Sequence, residues 1–465
     1  MFFSYIDRNQ SRIGQQALYA QLRTIKDRKL QFQEQEALID LFNENRSKRN
    51  KTQYELSRLN SRKAYYISDL FQSPPFKKPS WSFIIPILSI LITVSIPLAF
   101  FSTWFALILM LLLPIHVLIH FALKRSVSVF IDSIPQLLTM SSVANKLVKL
   151  NLTETSNNII FSLKTVTSIK RRMSFFKLEQ KVDSDMEAAY WFLIEMIKIT
   201  FLLEPLLMFS AAKKLDHKQR DIETVFNYIA QIDLALSINA LRNNVEQYCI
   251  PNIIENGTLK ATGIHHPLIV NCVSNSIELT NKSFLLTGSN MSGKTTLMRT
   301  IGLNHLSSLS LNTAFAEEIK LPCCKIYSMI RVSDDLMEST SYFMKELELV
   351  KAFIDDTTKG KKLILLDELF KGTNTSERIA SASAVLSHLQ HTGNFVFVAS
   401  HDLELSEQLK NEYDTFHLGE TVLENEINFN YTLSRGNPEK GNAIELMRIS
   451  DFPISIINRA KELVS

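Results

Sequence analysis

Ser283-Phe284-Leu285-Leu286-Thr287-Gly288-Ser289-Asn290-Met291-Ser292-Gly293-Lys294-Thr295-Thr296 is the stretch on which the fold of this chain turns. An apolar run of strand type leads into a G-x-x-x-x-G-K-[ST] loop, and a helical pattern opens at Thr296. That order predicts backbone N–H groups converging on phosphate oxygens at a helix N-terminus, with Gly288 and Gly293 giving the loop its close approach. Gly288, Ser289, Asn290, Met291, Ser292, Gly293, Lys294, Thr295 and Thr296 are therefore expected to bind a nucleotide. Lys294 supplies charge to the terminal phosphates, and Thr295 offers a hydroxyl to Mg²⁺.

Two further apolar runs follow. Leu363-Ile364-Leu365-Leu366 ends in Asp367-Glu368, and Phe395-Val396-Phe397-Val398-Ala399 ends in Ser400-His401-Asp402. Continuous apolar runs of this length, alternating with helical segments after Asn256-Gly257, indicate an α/β domain with a largely parallel sheet. Asp367 is expected to hold Mg²⁺, and Glu368 to orient or deprotonate an attacking water. His401 is placed to sense the terminal phosphate. ATP and Mg²⁺ are the expected cofactors, and the chain reads as a Mg²⁺-dependent ATPase.

Gly288 to Thr296 resembles the G-x-N-M-x-G-K-[ST]-T loop of the MutS family of DNA mismatch-repair ATPases, in which the Asn-Met pair is unusual. Asp367-Glu368-Leu369-Phe370-Lys371-Gly372-Thr373-Asn374-Thr375 is similar to that family's D-E-[IL]-x-x-G-T-[SN]-T segment, and Ala399-Ser400-His401 to its A-T-H. His266-Pro267 lies ahead of the loop, where the family also has a His-Pro pair. The resemblance covers about residues 255–465. It implies an ABC-type P-loop fold and a homodimer, in which Ser341 of Ser339-Thr340-Ser341-Tyr342-Phe343-Met344 contacts the partner's nucleotide in trans. The family usually has Thr where Tyr342 stands. The segment Gly441 to Val464 looks like the family's closing helices, which support dimerisation.

Upstream the chain departs from that pattern. Residues 1–80 are helical in composition, with Pro first at Pro74 and Gly only at Gly14. Ile6, Ile13, Ala17 and Ala20 suggest one amphipathic helix, and Leu30, Ala37, Leu38 and Leu41 another. Phe32-Gln33-Glu34 matches the letters of the family's mismatch-reading F-x-E, but it sits in a helical pattern without a strand or glycine turn, and is expected to be structural. Arg46, Lys48, Arg49 and Lys51 read as a solvated face.

From Trp81 to Leu123 there is no Asp, Glu, Lys or Arg. One bilayer span needs roughly 20 residues, so the run predicts two antiparallel spans, 81–101 and 103–123, turning near Phe101-Ser102-Thr103-Trp104. Trp81 and Trp104 then fall at opposite interfaces, and Lys77, Lys78, Lys124 and Arg125 put both flanks on the cytoplasmic side. His116 and His120, four residues apart, read as packing or interfacial residues. Residues 124–255 read as a helical core or lever region, with a long helix over Asp221–Arg242. Its stretch Ile169 to Lys177 mixes basic and aromatic residues, able to meet DNA phosphates or anionic headgroups.

The expected architecture is thus an all-α region (1–80), a transmembrane hairpin (81–123), a helical region (124–255) and an α/β P-loop ATPase domain (256–465). The expected location is a bacterial inner membrane, with the ATPase domain cytoplasmic, and DNA or a membrane protein is the expected partner. The overall balance of +4 does not by itself argue for nucleic acid, and a mean hydropathy of +0.02 beside 46% hydrophobic residues shows how unevenly the apolar residues are spread. Met1 to Gln10 is polar and predicts no export signal. Cys249, Cys272, Cys323 and Cys324 lack zinc or redox spacing, so no structural zinc is expected, and adjacent Cys323 and Cys324 read as small buried residues.

Overall fold

In the computed structural model the described residues are all but 26–28, 73–78, 153–155, 174–184, 207–208, 210–214, 216, 256, 290–291, 331–341, 357–359, 424–425, 439–442 and 465. The chain forms two compact units. One takes in residues 3–20 and 33–241, the other 21–32 and 242–465.

Helices Arg12–Arg23, Lys29–Glu44, Arg46–Ser57, Ile84–Leu98, Thr103–Lys149, Asn157–Met173, Asp185–Thr200 and Gln219–Arg242 make up most of the N-terminal half of the chain. The period expected from Ile6 to Ala20 is broken: Phe2–Ile6 and Arg12–Arg23 are separate helices. Asp233 explains the break. Its carboxylate accepts from the backbone N–H groups of Gln10 (2.9 Å) and Ser11 (2.8 Å) and from the Ser11 hydroxyl, filling the space beside Gly14, where any Cβ would collide with it. Along Gln219–Arg242, Ile222, Val225, Ile229, Ile232, Leu236 and Leu241 are all buried, a stripe worth about 1.5–3 kcal/mol per side chain. Phe32 is buried within the helix Lys29–Glu44, so it packs a core.

The apolar run forms two helices, Ile84–Leu98 and Thr103–Lys149, with the break between them at Ser102. The second continues well past Leu123 through Pro135, to a length of 47 residues or about 70 Å. Two stretches, Ser80–Leu98 and Thr103–Leu123, are long and apolar enough to cross a membrane.

The C-terminal unit is built on two sheets. Strands β1 (Asn252–Ile254), β2 (Leu259–Ile264), β3 (Asn275–Leu279) and β5 (Glu318–Pro322) form the smaller, in the order β1-β5-β2-β3. The larger contains β4 (Ser283–Thr287), β6 (Lys325–Met329), β7 (Lys362–Asp367), β8 (Phe395–Ala399), β9 (Tyr413–Leu423) and β10 (Glu426–Arg435), in the order β10-β9-β4-β8-β7-β6. All its pairings are parallel except the β9–β10 hairpin. Every residue of β4 and β8 is buried, which accounts for their uninterrupted apolar sequence. Phe284, Phe397 and Phe416 stack across neighbouring strands. Both cysteines lie in the link between β5 and β6, where Cys324 turns into the core as expected, but Cys323 is exposed.

Register decides where the chemistry falls. Leu286 pairs with Ala399, and Ala399 with Asp367, so β4, β8 and β7 end level with one another. Their carboxyl ends open on one edge, where parallel sheets bind ligands.

Candidate active site

At that edge β4 passes into the glycine loop, and the helix Lys294–Leu311 begins. Gly293 caps this helix with φ +97°, and a Cβ there would stand 3.1 Å from the Tyr431 ring. Lys294, 4% exposed, folds its ammonium over the loop and donates to the carbonyls of Gly288 (2.6 Å) and Ser289 (2.7 Å). The Ser292 hydroxyl donates to the Ser289 carbonyl at 2.9 Å. These bonds tie the described residues of the loop, Gly288, Ser289 and Ser292, to one another and to the Lys294 ammonium. Asn290 and Met291 lie outside the described residues.

Thr295 donates from Oγ1 to Asp367 Oδ2 at 2.7 Å. This pairing joins the first turn of the helix to the end of β7. Hydroxyl and carboxylate oxygens so placed are hard donors of the kind Mg²⁺ takes, one or two protein ligands completed by water and phosphate.

The next residue, Glu368, is in the left-handed region, φ +56°, and its N–H donates to Ala399 O at 2.9 Å. A carboxylate side chain in this conformation stores strain of about 1–3 kcal/mol, and strain of that kind gathers at functional sites. Its carboxyl is nearly buried. One oxygen pairs with Lys371 and the other faces His401 Nδ1 at 3.5 Å. Burial pushes this carboxyl up, but Lys371, His401 and Lys294 outweigh burial and hold it below the usual carboxylate range. Glu368 is therefore an ionised acceptor at neutral pH.

His401 follows β8 with only Ser400 between, half exposed, with Asp402 3.6 Å from its other nitrogen. Arg378 grips Asp402 through two bonds, Nε at 3.0 Å and Nη2 at 2.7 Å. That bidentate clamp ties the helix Thr375–His391, capped by Asn374, to the His401 turn. Sequence reading missed Arg378 and Asp402 as positioning residues. The missing signal is distance in sequence, since Arg378 lies on the helix Thr375–His391 and Asp402 on the turn that follows β8.

Beside the loop is a cavity of about 390 Å³, lined by Ile269, Val270, Val273, Thr296, Leu418 and Tyr431 among others. Asn275 holds its rim, donating to Tyr431 O at 3.0 Å and accepting from Leu433 N–H at 2.7 Å. No motif marked these residues, because an apolar slot has no fixed spacing.

The family profile MutS domain V matches residues 284–465, which contain every element of this site from β4 onward. A protein named DNA mismatch repair protein MutS, from Fusobacterium nucleatum subsp. nucleatum, is 30% identical over 250 residues, 51% of this chain and 28% of that one. Another of the same name, from Clostridium botulinum strain Loch Maree, is 30% identical over 253 residues, 51% of this chain and 27% of that one. Residues 284–465 thus match a domain of the MutS family.

MutS domain V is an ATPase domain of the P-loop kind, so the match and the convergence of Lys294, Thr295, Asp367, Glu368 and His401 concern the same end of the same sheet. The chain spans little more than a quarter of the length of the curated relatives it matches. Ser341 lies outside the described residues, as do Ser174 to Lys177 of the basic and aromatic stretch.

Proposed function

We propose that this chain is a membrane-anchored, Mg²⁺-dependent ATPase of the MutS family that works as a dimer and serves DNA repair by engaging mismatched or structured DNA. The observation that carries the ATPase reading is the Thr295–Asp367 bond beside Lys294 and an ionised, strained Glu368. Loop N–H groups and Lys294 bind and orient the phosphates, and the apolar slot under Tyr431 receives the base. Thr295 and Asp367 hold Mg²⁺, which when bound neutralises charge on the phosphate oxygens.

Glu368 accepts a proton from water through the carboxylate oxygen that faces His401. His401, steadied by Asp402 and Arg378, keeps that carboxylate aimed and meets the terminal phosphate. Ser341 acts from the second subunit. The DNA role is supported by the names of the relatives, and the anchor by the two apolar helices, which fit a bacterial inner membrane with the ATPase unit in the cytoplasm.

Those same helices favour a second reading, an ABC-like mechanical ATPase that acts on a membrane partner without DNA. ATP turnover of the full chain in lipid nanodiscs, with and without duplex, mismatched and branched DNA, separates the two. Stimulation by one DNA form, lost progressively as salt rises, supports the repair role. Turnover indifferent to every DNA sinks it and leaves the mechanical reading.

A further inference from the structure

A third stretch of the helical unit has its polarity inverted. On the helix Asp185–Thr200, Phe192, Leu193, Met196 and Ile197 are 64%, 59%, 44% and 42% exposed, while Glu195 and Lys198 point inward. Glu204, just past the end of the helix, also points inward. The two carboxylates meet His120 of the second apolar helix. His120 Nε2 is 3.4 Å from Glu195 and 3.6 Å from Glu204, and Lys198 Nζ is 3.3 Å from a carboxylate oxygen of each. A helix bathed in water carries its charges outward and its apolar stripe inward. Here the charges are paired in the interior and the apolar residues face out, as a helix does when its surroundings are hydrocarbon.

Depth gives the second observation. Thr200 O pairs with His116 Nδ1 at 2.7 Å, and Phe201 O accepts from Ser89 Oγ at 2.8 Å. His116 lies seven residues inside the Leu123 end of its apolar stretch, about 11 Å, and Ser89 nine residues inside the Ser80 end of the other, about 13 Å. Two neighbouring carbonyls thus meet both helices at the same level, well into a hydrocarbon layer of about 30 Å. There the chain reverses, with Leu202 in the left-handed region at φ +48° and Pro205 following. Two of the carbonyls left free where the helix ends, those of Thr200 and Phe201, are met by His116 and Ser89, as a chain end buried away from water requires. Leu202 and Phe209 pack with Ile85 and Leu123 beneath.

We propose that the helix Asp185–Thr200 and the turn after it are a re-entrant membrane segment that enters beside the hairpin, reverses at Leu202, and covers its outward face with lipid acyl chains. The proposal rests on the membrane reading of the hairpin. Acyl chains are the occupant because the exposed face matches the hairpin's own, where Leu111, Leu118 and Phe121 are 70%, 69% and 58% exposed. The His120, Glu195, Lys198 and Glu204 cluster is what lets three charged residues enter that layer.

The test is depth measurement by spin labels in the full chain in lipid nanodiscs, with Cys249, Cys272, Cys323 and Cys324 replaced by alanine. Labels go singly at Phe192, Ile197, Leu111 and Tyr54, the last on a helix outside both apolar stretches. At Phe192 and Ile197 we expect collisions with oxygen to exceed those with a water-soluble nickel chelate, as at Leu111, and the reverse at Tyr54. Nickel access at Phe192 and Ile197 with Leu111 protected overturns the proposal and leaves the hairpin standing. Nickel access at Leu111 as well removes the membrane reading and this proposal with it. Strong dipolar broadening at Phe192 or Ile197 between copies shows that a second protein chain, and not lipid, covers the face, and overturns it too.

Discussion

In the α/β unit the polar side chains that matter gather at the open end of a sheet whose central strands β4 and β8 are buried throughout; in the helical unit they are sealed inside, around Asp233 and around His120. The difference separates two uses of buried polarity. At the sheet edge, Lys294, Asp367, Glu368 and His401 stand at an open end, and in the function proposed above their mutual contacts are ones a nucleotide and its metal exchange. In the helices, partners are permanent, and each charge is matched because nothing else will match it.

Substitutions sharpen that contrast. Lys294→Ala removes the ammonium from the loop, and nucleotide affinity is expected to fall about a hundredfold, read by titration with a fluorescent ATP analogue, with little change in melting. In the helical unit the effect reverses. Asp233→Ala strands three donors at the start of the helix Arg12–Arg23 and should cost about 3 kcal/mol of stability in denaturant unfolding, with nucleotide affinity unchanged. If Asp233→Ala weakened nucleotide binding as strongly as Lys294→Ala, the division of roles would fail.

His305 tests acid sensitivity of the α/β core. It is buried on the helix Lys294–Leu311, and burial pushes its imidazole down to about 4. A depressed folded value means that the unfolded chain takes up the proton first. Stability is therefore complete above the ordinary histidine range near 6.5 and is lost as pH falls towards 4, by about 3 kcal/mol. His305→Gln should flatten that slope; an unchanged slope means another group carries it. A smaller effect is expected at the His401 turn. Arg378→Ala releases Asp402 and should cost about 2 kcal/mol of local stability, lowering turnover more than nucleotide affinity.

What was legible in the sequence follows from these physical differences. The three buried strands are continuous apolar runs, and loop, carboxylates and histidine follow them directly, so the site could be read wherever a strand end fixes a residue's place. The place of Glu368 at the end of β7 was legible, but its left-handed backbone was not, since nothing in Leu366-Asp367-Glu368-Leu369 requires φ +56°. The Arg378–Asp402 clamp and the slot under Tyr431 escaped because each is assembled from residues far apart in the sequence. The hairpin was legible from its lack of charge. Asp185–Thr200 was not, because charged residues recur through it, and only the fold reveals that Glu195 and Glu204 turn towards His120 and that Lys198 pairs with both.

The most direct test of the ATPase assignment is single-turnover hydrolysis by Glu368→Gln beside the unaltered chain, with bound nucleotide quantified in the same samples. Retained ATP with hydrolysis slowed about a thousandfold is the expected result. Undiminished hydrolysis in Glu368→Gln would contradict the role given to that carboxylate and, with it, the reading of the site.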